Sequence, residues 1–115
     1  MAGLGGGIWF DDCVDVTVVG DTVLTLAAGV DVLRVTSATA TPAIQGIIGG
    51  TANRTILLAN VSGASIDIDD PISATLTDVE PSAQFGRLVG GVITNGSVWM
   101  LHYRGASSKW HRLGN

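Results

Sequence analysis

An all-β domain is what this sequence predicts, and three observations predict it. Glycine occurs 16 times beside abundant Thr, Val, Ala and Ser, while the strong helix formers Lys and Glu are nearly absent, a mixture that suits strands joined by tight turns. Apolar and polar residues alternate with a period of two over several short stretches, the mark of a strand buried on one face. Turn pairs such as Gly20-Asp21, Ser62-Gly63 and Asn95-Gly96 punctuate those stretches. Together they call for about eight to ten short strands in a compact antiparallel β-sandwich, jelly roll or small barrel.

The elements follow in chain order. Residues 1–13 combine glycines with Ile8, Trp9 and Phe10, too glycine-rich for a helix and too apolar for a solvated tail; they suit a docking arm, with an ordinary first strand as the alternative. Residues 14–115 then form one β domain. Val14, Val16 and Val18 alternate with Asp15 and Thr17, and Gly20-Asp21 is expected to return Thr22–Leu26 as a hairpin partner. Val30–Thr36 reads as a third strand, and Thr41–Ile48, interrupted by Pro42, as an edge or irregular one. The apolar run within Arg54–Asn60 suits a strand buried on both faces. Ser62-Gly63 turns it into Ser65–Asp69, where Ile66 and Ile68 point inward and Asp67 and Asp69 outward. Pro71–Ala83 lacks periodicity and reads as a long surface loop containing a short strand. Phe85–Ile93 leads to Asn95-Gly96, a type I′ hairpin signal, then to Ser97–Tyr103 and a last strand around Trp110–Leu113.

Bulk properties exclude several function classes. A net charge of −4 with only 6 Lys and Arg does not provide the dense cationic surface that phosphate neutralisation requires, so nucleic acid is not expected as a partner. Charge is unevenly placed: Asp11, Asp12, Asp15, Asp21 and Asp31 precede the first basic residue, Arg34, while Arg87, Arg104, Lys109 and Arg112 follow the last acid, Glu80. Opposite ends can therefore attract, within or between chains. A charged fraction of 14% is lean for a monomer's surface and predicts a partner for some of the apolar area. Cys13 stands alone, which rules out an intrachain disulfide and suits synthesis in a reducing cytoplasm. The first residues carry neither a basic n-region nor a long apolar stretch, so no export signal and no membrane span are expected.

From about Val32 onward five stretches stand out: Val32-Leu33-Arg34-Val35-Thr36, Ile44-Gln45-Gly46-Ile47 with Gly49-Gly50, Arg54 to Ile68, Gly96-Ser97-Val98-Trp99-Met100-Leu101-His102-Tyr103-Arg104-Gly105, and Ser108-Lys109-Trp110-His111-Arg112-Leu113. In these stretches the chain resembles a module of bacteriophage tail fibres, head fibres and capsid-decoration (cement) proteins. The matching residues are strand and turn residues, so they imply a fold and not a chemistry. The resemblance implies a homotrimer on the surface of a virion head, touching the major capsid protein or another virion protein, made in the host cytoplasm and stabilising contacts between coat subunits. Its alternative is a tail- or head-fibre module that binds a host-surface receptor or glycan. Two departures stand out: Arg104 replaces the family's acidic residue before glycine, and Gln84 to Gly91 replaces another of its segments.

The candidate sites follow from these readings. Ile8, Trp9 and Phe10 are the expected capsid anchor. Trp99, Tyr103, Arg104 and Trp110 are the surface contacts of the receptor-binding alternative, although the aromatics equally suit core or interface packing. Asp67, Asp69, Asp70, Asp78 and Glu80 match no EF-hand spacing, and alternating Asp on a strand is ordinarily its solvent face. His102 and His111, far from Cys13 in sequence, form no recognised zinc spacing. No Gly-x-Ser-x-Gly elbow occurs, Gly3 to Gly7 lacks the Lys of a phosphate loop, and no paired acids suggest a cleft. Neither an enzyme nor a cofactor is expected. Three glycosylation sequons begin at Asn53, Asn60 and Asn95, each where turn chemistry also wants Asn.

Overall fold

The valine alternation near the start of the chain builds a longer strand than its pattern suggests. In the computed structural model, which describes residues 13–87 and 89–113, β1 runs unbroken over Cys13–Thr25 and β2 over Val32–Ile48. There follow β3 (Thr55–Asn60), β4 (Ile66–Ile68), a 3₁₀ turn at Pro81–Ala83, β5 (Gly91–Ile93), β6 (Val98–Arg104) and β7 (Lys109–Arg112). Among the described residues every regular element except that turn is a strand, as composition and alternation require. The expected anchor residues Ile8, Trp9 and Phe10 lie outside the described residues.

Strand count and pairing depart from the expected antiparallel arrangement. Seven strands form one mixed sheet in the order β5-β4-β2-β3-β6-β7, with β1 paired to β2. β2 is parallel to β1, β3 and β4, whereas β3–β6, β4–β5 and β6–β7 are antiparallel. The stretches read as a hairpin across Gly20-Asp21 are one strand, and the strands expected over Val30–Thr36 and Thr41–Ile48 merge into the single β2. Backbone irregularities that look like strand ends in sequence are absorbed as bulges. Gly20, Ala40 and Thr41 take φ of 57°, 59° and 55°, and the β1–β2 register shifts between Val19 and Asp21, so both strands bend together without parting. Pro42 falls between paired rows, where no ladder N–H is needed. The loop 69–80 contains no strand.

Chain length dictates how the β1–β2 ribbon is shaped. Cys13 pairs with Val32 and Thr25 with Ile48, so residues 26–31 must carry the chain from the far end of β1 back to its beginning. A straight strand of β1's length spans roughly 40 Å, whereas that connection reaches at most roughly 25 Å. The ribbon therefore folds back on itself at Gly20 and Ala40–Thr41. Arg54 ties its ends together by donating to the carbonyls of Gly49 (3.1 Å), Ala27 (3.1 Å) and Val30 (2.8 Å). Because β1 occupies one edge of β2, β3 and β4 share the other: β3 lies beside Val32–Val35 and β4 beside Ala43–Ile44.

The folded ribbon encloses a single core. Leu33 and Val35 from its first half, Ile44 and Ile47 from its second, and Ile56, Leu58, Ile66, Ile68, Phe85, Ile93, Leu101 and Trp110 are all essentially inaccessible. Trp110 joins the two halves: its indole N–H donates to the Ile47 carbonyl at 2.9 Å, and its ring meets Tyr103 edge-on at 5.0 Å. Backbone bonds from Trp110 N to the Gln84 carbonyl and from Gly86 N to the Trp110 carbonyl attach residues 84–86 to β7. That segment runs on into β5 at the other end of the sheet order, which curls the sheet toward closure.

Two buried polar residues hold the turns. Asn60 is fully buried; its amide donates to the carbonyls of Ala64 (2.7 Å) and Ile93 (2.9 Å), and its Oδ1 accepts from the Ser62 N–H and hydroxyl. Asn95-Gly96 is a turn, but Gly96 alone of the pair has positive φ, 87°, and Ser97 N donates to the Thr94 carbonyl, which makes it type II instead of I′. It joins β5 to β6, which pair with other strands. The twist-matching I′ geometry is required only where the flanking strands pair with each other.

Candidate functional site

The β6–β7 hairpin concentrates the cations of an acidic chain. Antiparallel pairing sets His102 opposite His111 and Arg104 opposite Lys109, while Leu101, Tyr103 and Trp110 turn to the core. Strand alternation thus gathers two imidazoles, an arginine and a lysine on the outer face. Lys109 donates to the Pro81 carbonyl at 2.8 Å, which commits it to the 3₁₀ turn. The sheet is not closed by hydrogen bonds between β5 and β7, and in the seam lies a cleft of about 410 Å³ lined by Val89 to Val92 on one side and by Trp99, His102, Arg104, His111, Arg112 and Leu113 on the other.

Arginine orientation in this cleft has a physical cause. Arg112 lies with its guanidinium 4.0 Å above the Trp99 ring, a cation–π contact that fixes the head group. The ion pair found among the described residues joins Arg34 to Asp15 on the exposed face of the ribbon, at 2.7 Å, so Arg104 and Arg112 have no carboxylate partner among the described residues. His111 is held below the usual histidine range, first by burial and then by the neighbouring positive charges of Arg104 and His102. Its Nε2 lies 3.1 Å from the Ser107 hydroxyl, and His102 Nδ1 lies 3.1 Å from the Thr55 hydroxyl. Gly86 presses so closely on the His111 ring that a Cβ there would collide with it.

The contacts expected of a receptor-binding surface are divided by the structure. Arg104 is exposed. Trp99, Tyr103 and Trp110 are 4%, 5% and 0% accessible, so none offers an open ring face to a ligand in this chain: Tyr103 and Trp110 pack edge-on in the core, and the Trp99 ring is covered by Arg112 at the wall of the cleft; their alternation with Met100, His102 and His111 is the signal for that burial. What sequence reading missed is the partnership of His102, His111 and Arg112 with Arg104. The C-terminal excess of cations was visible, but the pairing register that assembles them was not.

The carboxylates do other work. Among the described residues no group of three His, Cys, Asp or Glu side chains is placed to hold a metal ion. Asp70, 2% accessible, accepts from the N–H groups of Ile72 and Ser73 with one oxygen and from Gly90 with the other, at 2.7–2.8 Å. It thereby ties the start of the 69–80 loop to the segment that enters β5 and positions Gly90 on the wall of the cleft. Burial alone would raise its pKa, but the hydrogen bonds from Ser73, Gly90 and Ile72 outweigh it and hold the carboxyl below the usual range.

No family model matches this chain, and no curated protein matches it. Among solved structures, a chain from "Structure of a chaperone-substrate complex" is similar at 19% identity and a TM-score of 0.34, covering 85% of this chain and 13% of that one. A likeness of that degree carries neither fold nor function across.

Proposed function

We propose that this chain is a structural protein of a virus particle, a capsid-decoration module that assembles as a homotrimer, docks through its N-terminal arm and stabilises contacts between coat subunits. The observation that carries the self-assembly is the outer edge of β1. Among the described residues that strand of 13 residues pairs on one side only, with β2, and Val14 and Val19 on it are 41% and 58% accessible. Monomeric proteins ordinarily shorten, charge or cover such an edge, because its free N–H and C=O groups and apolar side chains invite pairing. A second copy covers it without any new chemistry. The virion assignment rests on the sequence motifs, and their Arg54 and Asn60 tie the ribbon ends and the β3 turn in this fold.

The alternative, a tail- or head-fibre module that binds a host receptor or glycan, draws on exposed Arg104 and the cationic seam. Quantitative mass spectrometry of purified particles separates the readings. A copy number near that of the coat protein is expected for decoration, a far lower one for a fibre, and absence from particles overturns both. Deleting residues 1–12 should leave a folded trimer, by sedimentation equilibrium, that no longer attaches; unimpaired attachment would refute the anchoring role of Ile8, Trp9 and Phe10.

A further inference from the structure

We propose that the seam between β5 and the β6–β7 hairpin is a binding site for a carboxylated sugar. Three features converge there. The first is uncompensated charge: in a chain of net charge −4, this cleft is lined by Arg104, Arg112, His102 and His111 and by no acidic residue. Two guanidinium groups without carboxylate partners among the described residues line one cleft, and one of them, Arg104, adds to the depression of His111 that burial begins; together they leave a local field that an anion relieves.

The second is preorganisation. Arg112 is held 4.0 Å over Trp99, so its planar fork is oriented before any ligand arrives, and a planar fork matches a carboxylate through two parallel hydrogen bonds. The opposite wall is equally fixed, because Gly90 N donates to buried Asp70 at 2.7 Å and Gly91 pairs with Ile68 in the sheet. The third is size and mixed polarity. About 410 Å³ lies within the ordinary range of small-ligand clefts, larger than a bare inorganic anion needs. Val89, Val92 and Leu113 supply apolar surface for the face of a sugar ring, and the imidazoles supply polar partners for hydroxyls. A ring that carries a carboxylate uses both kinds of lining. The site is independent of whether the protein decorates a head or ends a fibre.

Isothermal titration of the full chain with glucuronate, glucose and inorganic phosphate tests this. Glucuronate should bind, and glucose, of the same ring size without the charge, should not. Arg104→Gln and Arg112→Gln should each weaken glucuronate binding about tenfold or more, with thermal unfolding recorded for both variants. Arg104 is exposed, so its variant keeps the fold and the test stands even if Arg112→Gln is destabilised. Absence of glucuronate binding, binding unaffected by Arg104→Gln, or phosphate binding as tight as glucuronate would overturn the proposal.

Discussion

Replacing Asn60 by Asp changes one group and almost no volume, which makes it a clean probe of the buried polar knot at the end of β3. The Oδ1 side is unaffected, since a carboxylate accepts from the Ser62 N–H and hydroxyl as the amide does. The other side inverts: an NH₂ that donates at 2.7 and 2.9 Å to the carbonyls of Ala64 and Ile93 becomes an oxygen facing two oxygens. Two hydrogen bonds are lost and the buried Ile93 carbonyl is left unsatisfied, while the part-buried Ala64 carbonyl still faces the Ser62 hydroxyl. At about 1 kcal/mol net per bond and 1–3 kcal/mol for the stranded buried group, the expected loss is about 3–5 kcal/mol at pH 8. Protonating the new carboxyl restores one donor, so its folded pKa must rise well above the unfolded value near 3.9. A raised folded pKa contributes stability at low pH that is lost as pH rises through it. The deficit relative to the parent should therefore shrink by about 1.4 kcal/mol for each pH unit between the two pKa values as the solution is acidified. Urea unfolding of Asn60→Asp and parent at pH 8, 6.5 and 5, at one fixed protomer concentration because assembly adds to apparent stability, measures both quantities. A deficit under about 1 kcal/mol that does not change with pH would refute the account of Asn60 as the knot of these turns.

Two further outcomes follow from the same kind of reasoning. Arg54→Lys keeps the charge but cannot reach the Gly49, Ala27 and Val30 carbonyls with one fork; a loss of about 1–3 kcal/mol in urea unfolding is expected, with faster amide exchange around residues 26–31 as the local readout. Asp70 has a folded pKa below its unfolded value of 3.8, so the stability it contributes is fully present above that value and disappears as pH falls through the folded one. In Asp70→Asn the acid limb of the stability–pH curve should flatten while stability at pH 7 falls by about 2–3 kcal/mol, since an NH₂ replaces one acceptor of backbone N–H groups.

Much of the architecture was legible in the residues because the physics that selects it is local. Period-2 burial in Ser65–Asp69 is reproduced, with Ile66 and Ile68 inside, because alternation is a property of an extended backbone wherever it lies; Thr55–Asn60, read as buried on both faces, instead buries Ile56, Leu58 and Asn60 and leaves Thr55, Leu57 and Ala59 half-buried on the other face. Asn53 takes φ of 68° and Asn60 and Asn95 bond to backbone groups of neighbouring turns, as the turn chemistry of Asn requires. The all-β class and the charge asymmetry likewise needed nothing beyond composition and order.

The tertiary structure alone decided three things. Gly20-Asp21 became a bulge instead of a hairpin because β1 and β2 pair in parallel over their whole length, and which strand pairs with which is set by burial of the whole core, not by the two residues at a bend. Asn95-Gly96 became a corner because its flanking strands found other partners. The cationic seam arose because register placed His102 beside His111 and brought residues 89–92 back past them. Sequence fixes which residues alternate along a strand, since that depends on neighbours one and two positions away; it does not by itself reveal cross-strand register, which depends on contacts between residues far apart in the chain.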